Sequence, residues 1–253
     1  MDGLHSVTPI NCAKCASLNC SICADLAPGA KLELARIARV RTYRAGETIL
    51  AESDEAGFVG NVVSGVLRLQ KTLHDGRQQI VGLMLPSDMF GRVFERTSHV
   101  AVEAATDATV CCYNRTTFEQ LFTRFPELEH RMLAAISREL DAAQDWMLLL
   151  ATQSVPERLA TFLLILRKKA IGPAGTSSVA GVEIPISRRD LAAYLGTTVE
   201  SISRAVQQIA RAGIIRIDHP QRFEIVDLRR LIALSNHDPE EFEPPQPEAR
   251  RFG

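Results

Sequence analysis

The spacing of apolar positions changes twice along the chain. From about residue 28 to 118 they alternate over short runs, Val62–Leu73 and Gln79–Leu85 among them. Asp75-Gly76 lies between those two runs, which is a hairpin signal. Gly46, Gly57, Gly60, Gly65 and Pro86-Ser87-Asp88 mark further turns. Many short strands at this spacing predict a β-roll, jelly roll or barrel. From about 126 to 153 the period lengthens. Met132, Ile136, Leu140, Ala143, Met147 and Leu150 step by 4, 4, 3, 4 and 3, a heptad-like seam on one long helix. A helix packed on its own domain would show the same seam. The dimer reading is preferred because the run is long and its other faces carry Arg131, Arg138, Glu139, Asp141 and Gln144.

Pro156 fits the start of a helix that reaches about Ala170, and Gly172–Ser178 reads as a loop. Ser187-Arg-Arg-Asp190 has the form of a helix N-terminal capping box, with Leu191 and Leu195 following on one face. Gly196 breaks that helix. Thr197-Thr-Val-Glu200 gives a second box, and Val199, Ile202, Val206 and Ile209 define a buried face. Glu200, Ser201, Ser203, Arg204, Gln207 and Gln208 form the opposite, polar face. Ile214–Ile217 and Arg222–Val226 read as a hairpin behind it. Two short helices about a glycine turn, followed by a hairpin, describe a winged helix-turn-helix. The predicted class is α+β.

That arrangement directs attention to double-stranded DNA. Arg204 can donate two hydrogen bonds to guanine, Glu200 can accept from cytosine, and Ser203 can sit against a thymine methyl. Thr197, Thr198 and Ser201 lie at the same helix start and complete the candidate DNA-facing set. Charge supports it locally rather than globally. The 253 residues carry 29 basic and 30 acidic side chains, a formal net charge of -1. Residues 156–216 hold nine Arg or Lys against four Asp or Glu, and so supply a local source of phosphate attraction. Glu200 could instead serve only the cap, and Arg204 only solvent.

Cysteines are the compositional anomaly. Four of the six, Cys12, Cys15, Cys20 and Cys23, fall within twelve residues, and Cys111 and Cys112 are adjacent. The first residues show no basic start and no apolar core of a secretory signal, and no apolar run approaches a membrane span. A cytoplasmic location without membrane contact is expected. There, clustered cysteines point to metal or redox chemistry more than to disulfides.

The chain resembles the Crp/Fnr transcription regulators, most of all their oxygen-sensing Fnr branch. Pro156-Glu-Arg-Leu-Ala-Thr-Phe162, Gly196-Thr-Thr-Val-Glu-Ser-Ile-Ser-Arg204 and the N-terminal cysteines with Cys111 carry the likeness. The resemblance implies an N-terminal cyclic-nucleotide-binding-like β-roll, a long dimerisation helix and a C-terminal winged helix-turn-helix. The corresponding boundaries are a cysteine-rich segment 1–27, a sensory β-roll 28–125, a dimerisation helix 126–153, a DNA-binding domain 154–236 and a disordered, acidic, proline-rich tail 237–253. It also implies a homodimer, RNA polymerase as a partner, and an inverted repeat like TTGAT-N4-ATCAA. Glu200 and Arg204 would read the shared G·C pair there, and Ser203 the outer T·A pair.

By the same resemblance a [4Fe-4S] cluster is implied, held by Cys12, Cys15, Cys20 and Cys111, with Cys23 as the alternative to Cys20. Thiolates are soft anionic donors and four of them are the usual set for such a cluster. Cys12-x-x-Cys15-x4-Cys20-x-x-Cys23 could also hold a structural zinc, or act as a metal-free thiol switch. If 111–115 is a strand, Cys111 and Cys112 point to opposite faces, and Cys112 reads as a core thiol. Nucleotide-binding relatives carry a Gly-Glu-Leu step. Here Gly91-Arg92-Val93 replaces it, which argues against a cyclic nucleotide. His5, His74, His99, His130, His219 and His237 show no ligand spacing, and no catalytic motif is present, so no enzyme is expected.

Overall fold

A computed structural model describes Cys15, residues 22–171 and residues 181–242. The chain divides into two compact units, residues 1–146 and 147–253. The division falls inside the long helix.

In the first unit, α1 (Pro28–Ile37) precedes eight short strands: β1 (Arg39–Tyr43), β2 (Thr48–Leu50), β3 (Phe58–Ser64), β4 (Leu67–Thr72), β5 (Gln78–Met84), β6 (Met89–Phe90), β7 (Ala101–Ala104) and β8 (Ala108–Asn114). They form two antiparallel sheets, ordered β1-β8-β3-β6 and β2-β7-β4-β5. The expected hairpin at Asp75-Gly76 joins β4 to β5. Gly65 turns the chain between β3 and β4 at φ +80, and a Cβ there would lie 2.3 Å from the Asp107 carbonyl oxygen, so only glycine fits.

The first sheet is covered on both faces, and the two-residue alternation of β8 shows how. Ala108, Val110 and Cys112 join Tyr43, Leu50, Val62, Leu67 and Val102 in the interior of the roll. Cys111 and Tyr113 face Ala30 and Leu34 of α1, Phe118, Leu121 and Phe122 of α2 (Arg115–Arg124), and Leu128 and Met132 of α3 (Pro126–Thr152). Each fully buried Leu or Phe contributes roughly 1.5–3 kcal/mol. Helices α1 and α2 were not among the expected elements. Pro28 starts the first, and the Asn114 side chain accepts from Thr117 N–H to cap the second.

In the second unit, α4 (Val155–Ile171), α5 (Arg188–Tyr194) and α6 (Val199–Arg211) are followed by β10 (Ile215–His219), β11 (Arg222–Ile225) and α7 (Leu228–Ser235). The expected hairpin is present. It gains a third strand, β9 (Gly181–Glu183), paired antiparallel to β11. The tail expected from 237 begins folded. His237 stacks edge-on at 5.5 Å against Phe242, which closes the short α8 (Pro239–Phe242) and is buried. Residues 243–253 lie outside the described residues.

Candidate functional site

Helices α5 and α6 and the turn between them are built by local signals. The Ser187 hydroxyl accepts from Asp190 N–H at 3.0 Å to start α5. Gly196 turns the chain at φ +62, and Thr197 N–H donates to the Ala192 carbonyl at 2.9 Å. The cap of α6 is Thr198, one residue later than expected: its hydroxyl accepts from Ser201 N–H at 3.2 Å. Glu200 therefore stands at the second helical position. Its own backbone N–H, the Thr198 hydroxyl and the Arg204 charge hold its carboxyl below the usual range.

The buried face of α6 is Ile202, Ala205, Val206 and Ile209. Val199, expected there, is instead exposed, because it lies at the first helical position beyond the packed turn. Thr198, Glu200, Ser203, Arg204, Gln207 and Gln208 are exposed, and Thr197 and Ser201 are half-buried. Ser203, Arg204, Gln207, Gln208 and Arg211 line one shallow concavity. The Ser203 hydroxyl donates to the Val199 carbonyl at 2.9 Å, which leaves its oxygen free to accept and its methylene outward.

Arg158, within the run Pro156–Phe162, has a role that its sequence context does not announce. Its guanidinium donates to three carbonyls: Gln153 at 2.9 Å, Leu195 at 2.8 Å and Leu150 at 2.9 Å. Leu150 and Leu195 lie at the C-terminal ends of α3 and α5, where a cation is favoured. A second unread signal stands beside it. Ser154-x-x-Glu157 caps α4, with Ser154 N–H donating to Glu157 at 2.6 Å.

At the cysteines, β8 separates the adjacent pair as the alternation requires. Cys112 is a core thiol of the roll interior, and burial pushes it up to about 12. Cys111 is 4% exposed and lies 3.4 Å from the Tyr113 hydroxyl. The same hydroxyl is 3.7 Å from Cys23 Sγ. Burial, then the two neighbouring sulfurs, push the Tyr113 phenol well above its usual value. Cys15 is half-buried, and Cys12 and Cys20 lie outside the described residues. Among the described residues no three metal-ligating side chains group together. Asn61 sits across the sheet from Cys111, 3% exposed, and its amide oxygen has no partner among the described residues. Such an orphan costs about 1–3 kcal/mol.

On α3 the expected seam needs two changes. Met132 is taken into the core of its own unit, and Leu133, not foreseen, is exposed beside it. Leu150 is half-buried with its side chain toward Gly196. Leu133, Ile136, Leu140, Ala143 and Met147 remain as an exposed apolar stripe, with Leu140 at 58%.

Residues 157–234 match the model of the Crp-like helix-turn-helix domain, and residues 40–125 that of the cyclic nucleotide-binding domain. The chain is 36% identical over 207 residues to the transcriptional activator protein FnrL of Cereibacter sphaeroides, covering 81% of this chain and 84% of that one. It is 35% identical over 224 residues to the nitrogen fixation regulation protein FixK of Bradyrhizobium diazoefficiens, covering 88% and 93%. The protein belongs to the Crp/Fnr family of transcription regulators. The structure of FixK2 from Bradyrhizobium japonicum superposes with a TM-score of 0.73 at 33% identity, over 80% of this chain and 99% of that one.

Regulators of this family bind DNA and act as dimers, and they are not enzymes. Likeness to FnrL and to FixK is nearly equal. Arg158 and Tyr113 differ in how far the sequence announces them. Arg158 acts through backbone oxygens, which leave no mark in sequence. Tyr113 follows Cys111 by two residues and therefore shares its face, a signal that was available. No helix among the described residues is long and apolar enough to cross a membrane.

Proposed function

We propose that this Crp/Fnr regulator responds to oxygen through its cysteines and, as a homodimer, binds a TTGAT-N4-ATCAA-like inverted repeat to recruit or block RNA polymerase. The observation that carries the sensing reading is the convergence of Cys23 and Cys111 on one phenol oxygen, although 88 residues separate them in the chain. It supports Cys111 as the distant thiol, and it supports Cys23 beside Cys20 as the third N-terminal donor. Cys12 and Cys15 complete the set of soft donors. When bound there, a [4Fe-4S] cluster supplies an oxygen-labile link between the N-terminal segment and β8. The protein's own residues do the rest. Ile22 and Leu26 seat the segment in the core that also holds Met132 of α3, and Arg131 pairs with Asp25 at 3.3 Å. The segment that carries Cys23 is thereby joined to the helix that carries the dimer stripe.

In the dimer, Ile136, Leu140, Ala143 and Met147 meet their counterparts, with Leu133 extending the stripe at the position expected for Met132. Two α6 helices would then enter successive major grooves about 34 Å apart. Glu200, Arg204 and Ser203 read the base edges, while Thr197, Thr198 and Ser201 lie close to the backbone.

Anaerobic purification with iron and sulfide assays, and an absorption spectrum before and after air, tests the sensing reading. Iron, sulfide and a visible band that bleaches are expected. A colourless protein that contains zinc would sink it. Cys111→Ser should lose iron and Cys112→Ser should keep it, and the reverse result transfers the role to Cys112. A second reading rests on the same two thiols: a metal-free thiol switch on the same fold. It predicts no iron, and DNA binding that follows added thiol reductant.

A further inference from the structure

Around Cys111 two polar groups stand out among the described residues of an apolar core. One is the hydroxyl of Tyr113, whose ring stacks on Phe118 at 5.3 Å between centroids and packs there as a phenylalanine would. The hydroxyl adds nothing to that packing, and a buried hydroxyl is costly without a partner. The partners shown are two sulfurs, Cys111 at 3.4 Å and Cys23 at 3.7 Å. The other group is Asn61, cross-strand neighbour of Cys111, buried and with its amide oxygen unpartnered among the described residues. Neutral thiols are weak hydrogen-bonding groups. A buried hydroxyl set between two such thiols is poorly served while both are protonated. The hydroxyl is better served as a donor to a thiolate.

We infer that Tyr113 is a positioning residue of the thiol site: its hydroxyl donates to the Cys111 sulfur, keeps Cys23 beside it, and sets how readily the site is oxidised. This rests on the cysteine reading above. With Cys111 protonated, its S–H donates to the phenol oxygen. Once the thiol has given up that proton to bind a metal, the bond reverses, and the phenol O–H donates to a thiolate, a stronger charge-assisted contact. While Cys111 is protonated and donating, the phenol O–H is left for Cys23; once Cys111 is a thiolate, the shorter distance draws that proton to it. Cys23 then keeps only a weak contact with the phenol oxygen. A hydrogen bond to a ligand sulfur stabilises the more negative, reduced form and raises the reduction potential. Losing it makes the site easier to oxidise.

Tyr113→Phe keeps the ring and removes the donor. In metal-free, anaerobic full-length protein, iodoacetamide should alkylate Cys23 several-fold faster in the variant than in the wild type, read by mass spectrometry of the peptides. In iron-loaded protein, iron and sulfide should remain while the potential falls and absorbance is lost in air roughly ten-fold faster. Phe118→Leu is the control. It disturbs the same packing and leaves the hydroxyl in place, and should leave both rates near wild type. Unchanged alkylation, potential and bleaching in Tyr113→Phe overturn the inference, as does an equal change in Phe118→Leu. If the wild-type protein carries no iron, the cluster reading fails by itself, and the alkylation comparison still decides the role of Tyr113.

Discussion

Arg204 and Cys111 are the most telling side chains of the two units, and their surroundings are made in opposite ways. Arg204 stands exposed on α6, and what holds that helix in place is mostly near it in sequence: the Thr198 cap, the Gly196 turn and an apolar face from Ile202 to Ile209. Cys111 is buried, and its neighbours come from residues 22 to 132, brought together by strand pairing and by three helices. A DNA-reading surface can be assembled from one short segment because its ligand is large and external. A buried thiol site must be enclosed, and only distant parts of the chain can enclose it. The recognition surface should therefore tolerate damage elsewhere, while the thiol site should register damage from many directions.

The harshest test of that independence is at the dimer stripe. Leu140→Glu places two carboxylates in the proposed seam, and an uncompensated buried charge costs about 3–5 kcal/mol. Sedimentation should show a dimer weakened by at least about 100-fold, while Cys23 alkylation in the metal-free protein stays as it was. An undisturbed dimer would remove the stripe from the interface. Arg158→Met comes next. It strips the donor from three carbonyls at the ends of α3 and α5 and should cost about 2–3 kcal/mol. Denaturant unfolding followed in the C-terminal unit should show the loss. A variant as stable as the wild type would mean that water replaces the guanidinium without penalty.

The same contrast explains what could be read from sequence. The hairpin at Asp75-Gly76, the glycine turn at Gly196 and the polar face of α6 were legible because each depends on residues within a few positions of one another. The sequence predicts the cap of α6 at Thr197 and the structure has it at Thr198, since two adjacent threonines offer the same oxygen. Strand β9 has three residues and exists through its pairing with β11, so no alternation announces it. The heptad spacing of α3 could not tell which side faces its own domain. Met132 proved to be core and its neighbour Leu133 exposed, and Leu150 turned to Gly196. Nothing along the chain between Cys23 and Cys111 says that they meet. That meeting follows from Ile22 and Leu26 settling into the core that β8 and α2 enclose.

At Arg204 the expected effect is on binding alone. Arg204→Ala should weaken association with the inverted repeat by about 1–3 kcal/mol per half-site, most strongly where the guanine is retained. Mobility shifts at fixed salt measure it, on the repeat and on a version with that G·C pair replaced. Melting should not move, because the side chain is exposed and makes one long contact, 3.4 Å to Ser201 Oγ. Equal weakening on both sequences would assign Arg204 to phosphate instead of base.

Thr198→Ala probes the boundary between stability and recognition within α6 itself. Losing the cap should cost about 1 kcal/mol of stability, seen as a small drop in melting temperature. It also removes the second of the groups that hold the Glu200 carboxyl below its usual range, after that residue's own backbone N–H. The sign follows from the depressed pKa. Whatever the Glu200 carboxylate contributes is present at neutral pH and fades as pH falls through the folded-state value. In Thr198→Ala that value moves up toward an ordinary glutamate, so the acid loss of sequence-specific binding should begin at higher pH than in the wild type. Fluorescence-detected titrations on the inverted repeat across the acid range would show it. If the cap is lost and the acid limb does not move, Glu200 is neutral to recognition, and reading of the G·C pair passes to Arg204 alone.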